Sequence, residues 1–205
     1  MRLLKNCLST LKDSTEVEHE LIVVDNGPIE QTEFLKTQKI DKHIINKINM
    51  GIGYARNQGM DVATGEYVVF LDNDILVEKG WLGESIEALE TYPNEKLVGC
   101  PIYGDPSGTG KRRLYLGMLG KYPLYQRYGG ACWVKRRKML DKFGKWSTNT
   151  VPGREYCGKI TRAGYRFIGL EKHKATHLGK KKSFNFHKIL INGEWVERDG
   201  NNDKA

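Results

Sequence analysis

Asp72 and Asp74, two carboxylates one residue apart, are the side chains in this 205-residue chain whose types and spacing most directly suggest chemistry. In an extended segment, residues two apart face the same side. Such a pair presents hard oxygen ligands, which suit Mg²⁺ or Mn²⁺. A divalent ion held there can bridge a diphosphate and neutralise the charge that develops on a leaving group. The plainer reading is a turn or helix cap made by Asn73 or Asp74, and spacing alone leaves that reading ahead.

The elements around the pair favour the chemical reading. Tyr67 to Leu71 (YVVFL) is the strongest strand signal in the chain and runs straight into Asp72-Asn73-Asp74. In open α/β sheets, ligands bind beyond the carboxyl ends of the strands. Upstream, Leu3, Leu4, Cys7, Leu8 and Leu11 share a helical face, ELIVVD (20–25) reads as a buried strand stopped by Asn26-Gly27-Pro28, and His43 to Asn46 reads as a short strand. Gly51 and Gly53 open a helix whose Ala55, Gly59 and Val62 form a narrow face, and Gly65 ends it. Downstream come a helix carrying Leu82, Ile86 and Leu89, and a strand at 97–102. This alternation predicts an α/β fold with a mostly parallel sheet.

The second half reads less regularly. Residues 103–128 are rich in Gly, Pro, Tyr and basic side chains and read as a long irregular segment. A strand at 131–134, helices at 138–143 and 155–163, a strand at 166–170 and a hairpin around Asn192-Gly193 follow. One domain over 1–197 is expected, in two halves (1–100 and 101–197), with a polar tail (198–205).

Composition narrows the classes. Hydrophobic residues make up 39% and charged residues 28%, which suits a folded domain with a core. No apolar run approaches the roughly 20 residues of a membrane span, and the first residues lack a signal-peptide pattern. The expected compartment is the cytoplasm, with peripheral membrane contact open. Cys7, Cys100, Cys132 and Cys157 are widely spaced, with no zinc-type cluster, and read as reduced core thiols. Net charge is +8, split unevenly: residues 1–100 hold 10 Lys+Arg against 17 Asp+Glu (−7), and residues 101–205 hold 23 against 8 (+15). The basic second half suits an anionic partner or membrane surface. Nucleic acid is disfavoured, because no helix-turn-helix, zinc finger or RNP-like segment is evident.

Four segments, ELIVVDNG (20–27), NMGIGYARNQGMDVATGEYVVFLDND (49–74), GGACWVKRRKMLDKFGKW (129–146) and CGKITRAGYRF (157–167), occur in an order and spacing that resemble family-2 glycosyltransferases, and the resemblance extends from Leu3 to about His177. It implies a GT-A fold, meaning a Rossmann-like, mostly parallel twisted sheet flanked by helices, with 1–100 as the nucleotide-binding half and 101–197 as the acceptor half. It also implies a nucleoside-diphosphate sugar donor of UDP or GDP type, a divalent metal, inversion at the anomeric carbon, and a glycan or lipid-linked acceptor. By the same resemblance Asp25, with Asn26 beside it, would contact the nucleoside base. Asp25 is alternatively a turn-forming residue before Gly27. Arg56 would lie near the nucleotide, or else be a surface helix arginine. Asp72 would face ribose and metal with Asn73 beside it, and Asp74 and His177 would ligate the metal. A loop histidine is an equal alternative for His177.

The sequence departs from the family pattern twice. The usual apolar first strand, which lies between the strands matching ELIVVD and YVVFL, is absent. Either Met1 is an internal start or another segment fills the gap, and the chain as written is expected to fold or bind donor poorly. Pro152-Gly153 stand where members carry Glu-Asp, which leaves Glu155 as the nearest carboxylate to act as catalytic base. A non-catalytic relative, binding nucleotide sugar or a partner, is the competing reading.

Overall fold

A computed structural model describes residues 1–102, 114–148, 152–178, 188–191 and 194–197. The chain begins with α1 (Arg2–Ser14), β1 (Ile22–Asp25), α2 (Ile29–Lys36), β2 (Lys42–Ile45), α3 (Ile52–Val62), β3 (Tyr67–Leu71), β4 (Ile75–Val77), α4 (Trp81–Thr91) and β5 (Leu97–Ile102). It continues through β6 (Tyr115–Leu119), β7 (Tyr122–Tyr125), β8 (Cys132–Arg136), α5 (Arg137–Phe143), α6 (Pro152–Arg162), β9 (Arg166–His177), β10 (Lys188–Ile191) and β11 (Glu194–Glu197).

The main sheet has seven strands in the order β3-β8-β5-β9-β7-β6, with β4 also pairing β9. Its centre is apolar because β8 and β5 are covered on both faces: Cys132, Trp133, Val134, Val98 and Cys100 are all fully buried. Gly99 is where two strands crowd, since a Cβ there would lie 3.1 Å from the Val134 Cβ. α4 seats Trp81, Ala88 and Leu89 in this core. α1 buries Leu4, Cys7 and Leu11 and covers the free edge of β4, with the Ser14 hydroxyl donating to the Val77 carbonyl (3.0 Å) and the Val77 N–H donating to the Thr10 hydroxyl (3.4 Å).

The expected α/β fold is present; among the described residues parallel pairing is confined to β1–β2 and β5–β9 and the other pairs are antiparallel, so the main sheet is mixed. The antiparallel content enters through the later strands: β6 and β7 form a short hairpin that packs on β9, and β8 runs antiparallel to both β3 and β5. Part of the expected irregular segment is the β6–β7 hairpin. Its two-residue turn begins at Gly120 (φ +56°) between the paired Leu119 and Tyr122. Gly117 and Pro123 masked that signal by reading as loop residues. The rest of the segment, 103–113, lies outside the described residues, as does the tail. The strands expected on either side of Asn192-Gly193 pair antiparallel, with Ile191 opposite Glu194, while those two residues lie outside the described ones. On α3 the buried positions are Gly53 and Asn57, which lie roughly opposite the expected Ala55-Gly59-Val62 face at the helical pitch; Val62 is exposed, while Gly59 still faces β1, where an added Cβ would lie 3.7 Å from Val24. Within the described residues β1 pairs only with β2, and β3 only with β8. All four cysteines are buried thiols outside any disulfide. No helix among the described residues is long and apolar enough to cross a membrane.

Candidate active site

β3 ends at Leu71, and the chain turns through Asp72-Asn73-Asp74 into β4. The turn is anchored on three sides. The Asp72 N–H donates to the Ala131 carbonyl (2.8 Å), the Ile75 N–H to the Asp72 carbonyl (3.3 Å), and the Leu178 N–H to the Asp74 carbonyl (2.9 Å). β4–β9 pairing sets Ile75 opposite His177, which carries the His177 ring to Asp74. Its Nε2 stands 3.1 Å from Asp74 Oδ2, and His177 is 7% exposed. The other oxygen, Asp74 Oδ1, is buried without a hydrogen-bond partner among the described residues. Asn73 is exposed at the tip. Burial pushes the Asp72 carboxyl above its ordinary range, and the charge of Asp74 adds to this; the Arg56 guanidinium pulls the other way.

Arg56 reaches this turn from α3. Its Nη2 donates to Asp72 Oδ1 (2.8 Å) and to the Gly130 carbonyl (2.8 Å). The guanidinium carbon lies 4.4 Å from the centre of the Trp146 ring. Asn57, one residue on, clamps Trp146 from both sides of its backbone: its Oδ1 accepts from the Trp146 N–H (2.7 Å) and its Nδ2 donates to the Trp146 carbonyl (2.9 Å). Helix, aspartate turn and tryptophan are thus tied into one unit.

Asp25, at the end of β1, is 1% exposed and its carboxylate is engaged within the chain. Oδ1 accepts from the Gly27 N–H (2.9 Å) and Gln31 Nε2 (2.7 Å), Oδ2 accepts from the Thr32 hydroxyl (2.6 Å), and His43 Nε2 stands 3.6 Å away. Burial alone would raise its pKa, yet these donors outweigh it and hold the carboxyl below its ordinary range. Asn26 accepts from Asn46 Nδ2 (2.7 Å) and donates to the Gly51 carbonyl (3.3 Å), which docks the end of β1 on the start of α3.

Glu155 sits in the first turn of α6, 3.3 Å from Lys159. The start of that helix meets Arg56 through two glycines: a Cβ at Gly130 would lie 3.6 Å from Arg56 Nη1 and 3.7 Å from the Gly153 Cα. The fold therefore gathers Arg56, Asp72, Asp74 and His177 at one turn and holds Asp25 and Asn26 at the neighbouring strand end. Asn57 and Trp146 carry no individual expectation from the sequence, and Lys135, counted there among the basic residues of the second half that suit an anionic partner, is instead fully buried. For Lys135 a signal existed, because period-two alternation in CWVKR places it on the face of Trp133.

A family model for Glycosyl transferase family 2 matches residues 2–160. The uncharacterized glycosyltransferase YfnE of Bacillus subtilis (strain 168) is 35% identical over 106 residues, 50% of this chain and 26% of YfnE. The putative glycosyltransferase EpsH of the same organism is 29% identical over 113 residues, 53% of this chain and 32% of EpsH. The chain thus spans about a third or less of these relatives' lengths. Among solved structures, GalNAc-T7 with UDP, GalNAc and Mn²⁺ superposes with a TM-score of 0.66 at 14% identity, covering 87% of this chain and 41% of that one. S. aureus TarS 1-349 in complex with UDP-GlcNAc gives 0.63 at 18% identity, covering 87% and 56%. With the family matched over more than half its length and its architecture shared with these structures, the chain belongs to glycosyl transferase family 2 and has the GT-A fold.

Proposed function

We propose that this chain transfers a sugar from a UDP- or GDP-type donor to a hydroxyl of a glycan or lipid-linked acceptor, with inversion and with a divalent cation. The observation that carries this reading is the Asp72–Asp74 turn at the carboxyl end of β3, where Asp74 Oδ1 is buried and unpartnered. A buried carboxylate oxygen without a donor is costly, and a cation removes that cost. No three His, Cys, Asp or Glu side chains among the described residues converge on a ready metal centre. Asp72 and Asp74 would therefore hold Mn²⁺ or Mg²⁺ together with oxygens of the donor diphosphate, with His177 fixing Asp74 from behind. When bound, the ion neutralises the departing diphosphate as a Lewis acid.

The chain's own groups do the rest. Arg56 favours the ionised form of Asp72 against burial and sets a positive charge beside the diphosphate. Asn26 fixes the start of α3 beside the nucleoside, and Asp25 holds the strand end that receives it. Glu155 takes the proton of the acceptor hydroxyl from the α6 side, and the basic second half draws an anionic acceptor or membrane surface. A similar structure holding UDP with Mn²⁺ and another holding UDP-GlcNAc support this reading. Pro152-Gly153 in place of the family's Glu-Asp, with Glu155 paired to Lys159, favours a non-catalytic nucleotide-sugar-binding relative as the second reading.

Titration calorimetry and a donor-panel product assay separate the two. Mn²⁺ and UDP or GDP are expected to tighten each other's binding. Asp74→Asn should abolish that coupling and lower turnover by at least about 100-fold, since even outer-shell partners of a metal ligand are worth 10–100-fold. Binding without product for any donor would favour the second reading, and no mutual tightening would sink both.

A further inference from the structure

Lys135 is the one fully buried lysine among the described residues, at 0% exposed, and its Nζ has no hydrogen-bond partner there. Four rings enclose the amine, with centres 4.0 Å (Tyr156), 4.5 Å (Trp133), 4.7 Å (Trp146) and 4.8 Å (Phe70) away. Trp133 Nε1, Trp146 Nε1 and the Tyr156 hydroxyl are also buried without partners. A buried polar group in this state costs about 1–3 kcal/mol. Leu or Met would fill the place at no such cost, so the lysine calls for a role.

Two of the four rings are shared with Arg56, whose guanidinium carbon is 4.4 Å from the Trp146 centre and 5.9 Å from that of Phe70. Trp146 cannot yield freely, because Asn57 holds its backbone and Tyr156 stacks on it at 4.2 Å. A π face that attracts one cation is a contested seat for two.

We propose that Lys135 is a positioning residue of the donor site: through the rings of Trp146 and Phe70 it sets how firmly Arg56 sits on Asp72. This rests on the reading of Arg56 as a donor-binding residue. Burial holds the Lys135 amine well below the usual lysine range, and Arg56 of α3 lowers it further; the thiols of Cys100 on β5 and Cys157 on α6 act in the opposite sense. Tyr156 of α6 meets the amine through its ring. While the amine is uncharged, Arg56 has both rings to itself. As pH falls and the amine takes up a proton, the ammonium competes for the same rings and repels the guanidinium. Arg56 then loosens from Asp72, and donor KM rises while kcat changes less.

The test follows donor KM and kcat against pH for the wild-type chain, Lys135→Met and Lys135→Leu. In parallel, NMR follows the Lys135 Cε and Arg56 side-chain N–H signals in the substrate-free protein. Wild-type KM is expected to rise about fivefold, the lower end for coupled sites, over the range in which Lys135 titrates. The Arg56 signal should move over the same range, and both changes should be missing from the variants. An Arg56 signal that ignores the Lys135 titration overturns the proposal, as does a Lys135 that takes up no proton while the chain stays folded, or variants that keep the wild-type pH profile. If no donor is turned over, the Arg56 signal still decides, and its movement leaves the positioning role standing while only the transferase reading falls. If neither variant folds, the two wild-type NMR titrations suffice.

Discussion

Asp25 and Lys135 are both buried ionisable side chains on strands, and the chain treats them in opposite ways. Around Asp25, three donors and the His43 ring converge within 3.6 Å of the carboxylate. Around Lys135, four rings converge and the amine has no hydrogen-bond partner among the described residues. The first site stabilises the charge it buries; the second encloses an amine and disfavours its charged form. A polar side chain that is fully hydrogen-bonded fixes a local structure. One left without partners can change state, and it lies where it touches the ring on which Arg56 rests.

The contrast can be broken from either side. The largest expected effect is at Asp25. Asp25→Ala leaves the Thr32 hydroxyl, the Gln31 amide and the Gly27 N–H without their acceptor and should lower unfolding stability by about 4 kcal/mol, at the upper end for a charge-assisted network. Its pH signature has a definite sign. The folded-state pKa lies below the unfolded one, so the contribution is complete above the unfolded carboxylate range near 4 and fades as pH falls through the folded value. Urea titrations at pH 7 and at about pH 3 measure both; a stability difference that does not shrink in acid would assign Asp25 a packing role only. Next comes Asn57→Ala, which strips the Trp146 backbone of both partners and should cost about 3 kcal/mol. Tryptophan fluorescence should report the loosened ring, and an unchanged spectrum would show that the aromatic stack holds itself.

The smallest expected effect has the opposite sign. Lys135→Met removes an unpartnered amine and should raise stability by about 1–3 kcal/mol at pH 7. The folded-state pKa of Lys135 lies below the unfolded one, so the wild-type penalty is absent above the unfolded lysine range and grows as pH falls toward the folded value. The variant's advantage should therefore shrink on the alkaline side. A destabilised Lys135→Met chain would mean that the rings favour the amine over an apolar filler.

Much of this was legible in the residues. YVVFL is apolar and β-branched, ends on three turn-formers and occupies the strand predicted for it, 67–71. Asp72, Asp74 and Arg56 could be singled out because short motifs carry their geometry along the chain. Asp25 shows where that reading thins: its type and place at a strand end are visible, but the Thr32, Gln31 and His43 that surround it lie 6 to 18 residues on, and no local pattern announces their convergence. The β6–β7 hairpin was hidden because Gly117 and Pro123 are loop formers in isolation and are overruled here by pairing with β9.

The sequence by itself determined the alternation of elements, the aspartate turn at the end of its strongest strand and the kinship with family-2 glycosyltransferases, because propensity, periodicity and short motifs act over a few residues. Only the tertiary structure decided that the sheet is mixed, that Asp74 keeps one oxygen without a partner, and that Lys135 and Arg56 share the ring of Trp146. Those facts depend on strands 60 or more residues apart meeting side by side, such as Phe70 opposite Trp133 and Ile75 opposite His177. Burial, which sets the energy of every charge in the site, exists only after they have met.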